Sequence, residues 1–276
     1  MTIKIYIPTK GRAKRQATLE RLPEKWQKQV MLVVPTDEAA TFREAGFKAK
    51  ILPCQAKGIT ATRDWILDHA KRSSYDHIVM FDDDLVLQKL RPTGKITNLE
   101  GNEFDGVFKH LDDTLKKHAH ASLGVRFLAY DASTDHMMGR AMYALAYNIP
   151  KVFKARARFG KGLPEGVGFM EDFNITLQLL RAGLPNHVSL VWRVSPYAAN
   201  AAGGCSTYRT PATLELSAKA LVKAHEPFVK LRWKPAWKGV VASDGEQVKG
   251  QWDVTIQWKK ALEAGLASPT KLGVAR

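Results

Sequence analysis

The segment His77-Ile78-Val79-Met80-Phe81-Asp82-Asp83-Asp84-Leu85 constrains this chain more than any other, because an apolar run ends in three consecutive carboxylates. Ile, Val, Met and Phe in succession suit a strand buried within a sheet. Three adjacent charges are tolerated only where that strand leaves the sheet for solvent or for a cation. The expectation is a buried strand that delivers acid to a sheet edge. Carboxylate oxygens are hard ligands suited to Mg²⁺ or Mn²⁺, and such ions keep waters and bind substrate phosphates beside one or two protein carboxylates. A solvated acidic turn is the plainer reading of the same residues.

The start of the chain makes the cation reading more specific. Ile3-Lys4-Ile5-Tyr6-Ile7-Pro8 alternates as a short strand, and Pro8-Thr9-Lys10-Gly11-Arg12 follows it with a turn residue, a hydroxyl and two cations, a cradle suited to phosphate or nucleotide. Strands are expected again at Val30 to Pro35 and Ala49 to Pro53, at intervals that leave room for a helix, which is the βαβ rhythm of a largely parallel sheet. After Gly58, residues Ile59, Thr62, Ile66 and Ala70 share one helical face, with Arg63 and Asp64 turned elsewhere. In open α/β sheets the ligand lies beyond the carboxyl ends of the strands, where Pro8 to Arg12 and Asp82 to Asp84 would both sit. Further on, Phe169, Phe173, Leu177 and Leu180 recur at helical spacing, so Glu171 and Asp172 fall at a helix start. Helix electrostatics alone would favour acids there.

These segments carry a resemblance. Ile7-Pro8-Thr9-Lys10-Gly11-Arg12, Gly58-Ile59-Thr60-Ala61-Thr62-Arg63 and Phe81-Asp82-Asp83-Asp84 occur in the order found in GT-A glycosyltransferases, and the last resembles their DxD motif. Gly166-Val167-Gly168-Phe169-Met170-Glu171-Asp172-Phe173 resembles the Glu-Asp motif of inverting members. The resemblance extends over about residues 3 to 225 and is nearest to the TET-associated, phage-type glycosyltransferases that act on modified DNA bases. It implies an α/β, Rossmann-like GT-A fold with a mixed, mostly parallel central sheet. Residues 1–225 would form the catalytic domain, and 226–276 a basic, Trp-rich appendage. It also implies Asp84 as metal ligand, Asp82 or Asp83 as ribose or second metal contact, and Pro8, Thr9, Gly11 and Arg12 at the nucleoside. Asp172, or failing it Glu171, would be the catalytic base. The implied donor is a nucleotide-diphosphate sugar, with a UDP-sugar foremost, held by Mn²⁺ or Mg²⁺. The implied acceptor is a hydroxymethylpyrimidine in DNA, hydroxymethylcytosine among them.

Charge supports a polyanionic partner. The formal balance of +15 is large for a protein that handles only a small nucleotide sugar. Lys151, Lys154, Arg156, Arg158 and Lys161 occur without an intervening acid, and Pro150, Gly160, Gly162 and Pro164 make that stretch read as a loop beside the proposed base, where a DNA backbone would run. In the tail, Leu231-Arg232-Trp233-Lys234-Pro235-Ala236-Trp237-Lys238 interleaves aromatics with cations, and Trp252 and Trp258 follow. Such residues either stack on bases or pack the tail onto the main domain. Gly203 to Arg209 is a glycine-rich turn with hydroxyls and a cation, placed to close over a diphosphate, with Arg63 and Arg209 adding positive charge. Thr210-Pro211 reads as a helix start, and Leu214, Ala218, Leu221 and His225 continue one face, where His225 is either a metal ligand or a satisfied core residue.

Cys54 and Cys205 make neither a disulfide framework nor a zinc spacing, and no apolar run has membrane-spanning length. A cytoplasmic protein is expected, in the host cytoplasm if phage-encoded, with no membrane partner. Two other readings use the same features. A metal-dependent nuclease or other phosphoryl-transfer enzyme also needs acids and a basic surface, and a non-catalytic DNA-binding module needs only the surface.

Overall fold

Side-chain alternation divides the first four strands between two cores. In the computed structural model, which describes residues 3–128, 138–165, 168–197, 210–235 and 250–268, strands β1 (Lys4–Pro8), β2 (Val30–Pro35), β3 (Lys50–Cys54) and β4 (His77–Phe81) pair in parallel in the order β3-β2-β1-β4. Among them lie helices α1 (Ala17–Arg21), α2 (Glu24–Gln27), α3 (Ala39–Glu44) and α4 (Ile59–Arg72). Beyond β4 come β5 (Leu85–Leu90), β6 (Ile96–Asn98), α5 (Glu103–Lys117), β7 (His120–Val125), β8 (Ala144–Asn148), α6 (Ile149–Lys154), α7 (Glu171–Arg181) and β9 (Asn186–Pro196). Ile5, Ile7, Leu32, Val34, Val79 and Phe81 face α5, whose Phe104, Phe108, Leu111 and Leu115 complete one core. The alternate residues Tyr6, Met31, Val33, Ile78 and Met80 face Ile66, Leu67 and Ala70 of α4 and Ile175 and Leu179 of α7. Strands buried on both faces read as unbroken apolar runs, which is what the sequence offers at β2 and β4.

The sheet continues past β4 as β8-β7-β9-β5-β6, giving nine strands. Only β8 and β5 run against the others. The mixed, mostly parallel α/β sheet expected from the sequence is present. All four parallel strands on the β3 side therefore point their carboxyl ends to one edge, and that edge carries Thr9 to Arg12 and Asp82 to Asp84.

Two local expectations need correction. The buried face of α4 is Arg63, Ile66, Leu67 and Ala70, while Ile59 and Thr62 are only partly covered. The face turns because Arg63 has buried acids to meet, a pull that apolar periodicity does not register. The stretch after Pro150 is not loop throughout: Ile149–Lys154 is helical, its start capped by the Asn148 side chain accepting the Lys151 amide at 3.0 Å. Pro150 sits in the first turn, where its missing amide costs nothing and its fixed φ favours a helix.

The C-terminal part forms a third core. Helix α8 (Pro211–Ala224), strands β10 (Val229–Pro235) and β11 (Gly250–Ile256), paired antiparallel, and helix α9 (Trp258–Ala267) enclose Ala218, Leu221, Val229, Val254 and Ala261 against Phe173, Leu177 and Leu180 of α7. Thr210 caps α8 with its side chain accepting the Thr213 amide, as Thr-Pro suggested. Helix α8 packs into this core through Ala218 and Leu221. Trp258 meets Phe173 edge-on at 5.7 Å, so it packs the tail onto the main body, whereas Trp233 is 47% exposed. Trp237 lies outside the described residues. No helix among the described residues is long and apolar enough to cross a membrane.

Candidate active site

The three acids leave β4 in different environments. Thr18 fixes the turn: its hydroxyl donates to the Asp82 carbonyl at 2.6 Å and accepts the Leu85 amide at 2.7 Å, and its amide donates to the Asp83 carbonyl at 3.1 Å. The Asp83 carboxylate then turns inward. It accepts the Thr9 hydroxyl at 2.5 Å and a guanidinium N–H of Arg12, and the buried Gln16 amide donates to Thr9 at 2.9 Å. Its side chain is only 9% exposed, against 30% for Asp82 and 26% for Asp84. The middle acid is therefore a structural anchor between β1 and β4, and the outer two are partly exposed.

Arg63 joins this turn to α7. One guanidinium nitrogen donates to Asp82 Oδ1 at 2.7 Å and another to Glu171 Oε1 at 2.5 Å, in a side chain only 6% exposed. Asp172 follows on the same helix start and accepts the Phe173 amide at 2.9 Å. Met170, at φ 66°, sits in the left-handed region just before the helix, where Glu171 meets Arg63 and Asp172 lies within reach of its charge. Asp64, one residue along α4, accepts the amides of Phe159 and Gly160 at 2.8 and 2.9 Å and fixes the approach to α7. A Cβ on Gly160 would come within 3.2 Å of that carboxylate, so the close approach depends on glycine.

Asp82, Asp83, Asp84, Glu171 and Asp172 thus converge on Arg12 and Arg63, with Arg140 bearing on Asp172. Burial raises the Asp82 carboxyl to about 6, against the pull of Arg63 and with the repulsion of Asp84, Asp83 and Asp172. Burial and mutual repulsion also push Glu171 and Asp172 upward, with Arg63 opposing. The same charges hold the Arg63 guanidinium above its ordinary value despite its burial. Carboxylates outnumber the cations facing them, and a further positive charge would relieve the site.

Beside the acids, Gly11, Arg12, Lys14, Arg15, Glu38 and Thr41 line a cavity of about 420 Å³. Gly11, at φ 68°, donates its amide to Glu38 at 2.7 Å, and Pro8 ends β1 opposite Val33. Arg209 lies outside the described residues, as do Cys205 and the rest of its turn. His225 is corrected. Buried to 2% exposure, it donates from Nε2 to Asn174 at 2.6 Å, and its Nδ1 accepts Arg181 at 3.2 Å. Burial and Arg181 push its pKa down to about 4, so the ring is neutral with both nitrogens engaged, and it is a core residue rather than a ligand. The sequence reading missed Thr18 and Gln16, the polar residues that shape the acidic turn, although each stands among charged neighbours at a short helix where a polar side chain signals capping or turn stabilisation.

The acids of the turn after β4 and those of a helix start are joined through one arginine at the carboxyl edge of a mixed sheet, the arrangement of segments on which the GT-A resemblance rests. A family model described as TET-associated glycosyltransferase matches residues 3–191, and the chain belongs to that family. It is a glycosyltransferase. Two curated relatives are beta-glucosyl-HMC-alpha-glucosyl-transferases: that of Enterobacteria phage T6 is 24% identical over 247 residues and that of phage T2 is 23% identical over 246, each match covering 84% of either chain. Among solved structures, the mannosyltransferase PcManGT of Pyrobaculum calidifontis, in complex with GDP-Man and Mn²⁺, aligns over 81% of this chain and 62% of its own at 15% identity, with a TM-score of 0.46. The family match sets aside the nuclease and the non-catalytic readings.

Proposed function

We propose that this chain transfers a sugar from a nucleotide-diphosphate sugar to a hydroxymethylpyrimidine in DNA, or to a sugar already carried by one. The observation that carries the site is the Arg63 junction, which brings Asp82 and the Glu171-Asp172 pair together although 88 residues lie between Asp82 and Glu171. The DNA acceptor is supported by the names of the phage relatives and by the charge of +15.

The partly exposed acids fit a divalent cation. Asp84 and Asp82 offer hard oxygen donors, and burial, together with the neighbouring acids, already raises Asp82 toward protonation, which a cation would reverse. Among the described residues no three acidic, histidine or cysteine side chains converge as a complete ligand set. Donor oxygens and water would fill the remaining positions, as is usual for Mg²⁺. When bound, Mn²⁺ or Mg²⁺ supplies charge that stabilises the departing diphosphate. Arg12 orients Asp83 and Asp84, and the cavity between Gly11 and Thr41 receives the nucleoside. Asp172 takes the proton of the acceptor hydroxyl as it attacks the anomeric carbon, and burial, which raises its affinity for protons, strengthens it as a base. Glu171, tied to Arg63, positions that helix start.

This sequence of events inverts the anomeric centre. Retention is the second reading, favoured by the alpha-glucosyl transfer in the relatives' names, because an alpha product from an alpha-configured donor requires it. Asp172 would then not act as the base. The test is to incubate the protein with a panel of nucleotide sugars, Mn²⁺ or Mg²⁺, and DNA bearing hydroxymethylcytosine or its glucosylated form, then to read nucleoside masses and the anomeric proton by NMR. A sugar increment on the DNA nucleoside supports the proposal, and its coupling constant decides between the two stereochemical courses. Transfer only to small-molecule acceptors, or undiminished transfer in chelator, overturns the corresponding part.

A further inference from the structure

The two basic segments of the sequence meet different fates in the fold. Of the cations between residues 151 and 161, Lys151 donates to the Lys116 and Lys117 carbonyls at the end of α5, at 3.0 and 2.9 Å. Arg158 pairs with Asp68 at 2.7 Å and lies over the Phe153 ring, and Lys161 donates to the Arg156 carbonyl at 3.2 Å. Much of that charge serves the protein's own backbone and side chains. The β10–β11 ribbon is arranged otherwise. From Lys230 to Pro235 every residue of β10 is exposed.

Strand alternation sorts the ribbon into two faces. Val229, Val254, Trp252 and Ile256 belong to the face that packs into the third core with α8 and with Phe173, the residue after Asp172. The opposite face carries Lys230, Arg232 and Lys234 paired across to Thr255, Asp253 and Gln251, with no apolar side chain. Arg232 meets Asp253 at 3.1 Å, an exposed pair of little strength. Toward the far end the inner face is uncovered as well: Leu231 is 38% and Trp233 47% exposed. Trp233 nonetheless has a fixed seat. It meets Trp252 edge-on at 5.3 Å and lies over Gly250, where a Cβ would fall 2.8 Å from its ring.

We propose that this ribbon is the arm by which the enzyme holds its acceptor DNA, with Lys230, Arg232 and Lys234 on backbone phosphates and Trp233 against base or sugar. The inference rests on the DNA reading of the function. Alternate residues of a strand repeat every ~6.6 to 6.8 Å, a spacing comparable to the through-space distance between neighbouring phosphates of one nucleic-acid strand, so three cations on one face can follow successive phosphates. A two-stranded ribbon also fits the DNA major groove, about 12 Å wide. Anchorage through Phe173 ties the arm to the helix that presents Asp172, which suits a segment that must keep DNA in register with the catalytic pocket.

The test is DNA affinity across a salt series, using the full chain and an unmodified 30-base-pair duplex of about that length. For wild type we expect binding that weakens steeply with salt. Replacing Lys230, Arg232 and Lys234 together by Gln should lower the log–log slope by roughly 2 to 3, at about 0.9 per lost phosphate contact. Trp233→Ala should weaken binding about fivefold or more with the slope retained, because stacking releases no counterions. Thermal melting checks that each variant folds. Asp253→Lys adds a cation to the same face and should steepen the slope by about 1, which decides the matter even if the triple variant fails to fold. Wild-type binding whose slope none of these changes moves would overturn the ribbon while leaving a DNA acceptor in place. A wild type that binds no DNA would overturn the acceptor reading itself, and the ribbon with it.

Discussion

The acidic turn after β4 and the acidic start of α7 solve the same problem in the same way. Each contains an acid tied down by neighbours and an acid less engaged. At the turn, Asp83 is held by Thr9 and Arg12 while Asp82 and Asp84 keep 30% and 26% of their side-chain surface. At the helix, Glu171 is held by Arg63 at 8% exposure while Asp172 is bound only by the amide beside it among the contacts described. The difference lies in what does the holding. Thr9 and Arg12 belong to the first strand and its turn, so Asp83 fastens β4 to β1. Arg63 belongs to α4 and also holds Asp82, so Glu171 fastens one acidic segment to the other. Asp83 and Glu171 tie segments together, and Asp84 and Asp172 are the less engaged acids of the two groups.

Substitutions can separate those roles. The largest effect on turnover is expected at Asp84→Asn, which should abolish transfer and metal-dependent donor binding while leaving the melting temperature within about 1 °C, because the altered carboxyl is partly exposed and its ion pair with Arg12 is long. Donor titrations with and without Mn²⁺, alongside melts, check this. Asp172→Asn should lower kcat by about 10² to 10⁴ with donor affinity retained, as a general base acts in the transition state. Steady-state kinetics that leave kcat untouched would make it a second anchor. Arg63→Met should cost about 3 to 5 kcal/mol of stability, since it leaves Glu171 and Asp82 without their shared counter-charge, and Arg63→Lys should not rescue it because one ammonium cannot span both acids. Asp83→Asn should cost less, about 1.5 to 3 kcal/mol, by weakening the bonds from Thr9 and Arg12. Denaturant melts rank the two.

The smallest effect is a pH dependence. An acid whose folded pKa is raised contributes stability that is complete below its unfolded pKa and lost as pH rises through the folded one. With Asp82 near 6, metal-free protein should therefore become more stable as pH falls from about 7 to about 5. Saturating Mn²⁺ should remove that gain, because a cation on the carboxylates favours their ionised form. A metal-free melting curve flat across this range would place Asp82 in a less crowded field than the geometry gives it.

Much of this was legible in the chain itself. The apolar runs of β2 and β4, the acids at the strand end and the Thr210-Pro211 cap each follow from local rules, and each was where those rules put it. What escaped depends on partners distant in sequence. Arg63 was placed off the buried face of its helix because apolar periodicity gives no weight to a buried cation whose partners lie 19 and 108 residues away. Three adjacent Asp residues gave no sign of which would turn inward until Thr9, Arg12 and Gln16 were in place. The Met170 conformation and the Trp233–Trp252 pairing likewise answer to tertiary contacts. Pro150 misled for the opposite reason, since a residue that interrupts helices favours one in its first turn.

Helix α7 is buried on two sides by parts of the chain made at very different times. Its Ile175 and Leu179 face the sheet, assembled from residues synthesised earlier, while Phe173, Leu177 and Leu180 wait for Val229, Val254 and Ala261. During synthesis the helix that presents Asp172 therefore has a bare apolar flank until the ribbon and α9 emerge from the ribosome. A nascent chain stopped near residue 225 would expose that flank to its neighbours, and such surfaces drive aggregation of incomplete chains. The last-made core thus decides when the first-made site becomes usable.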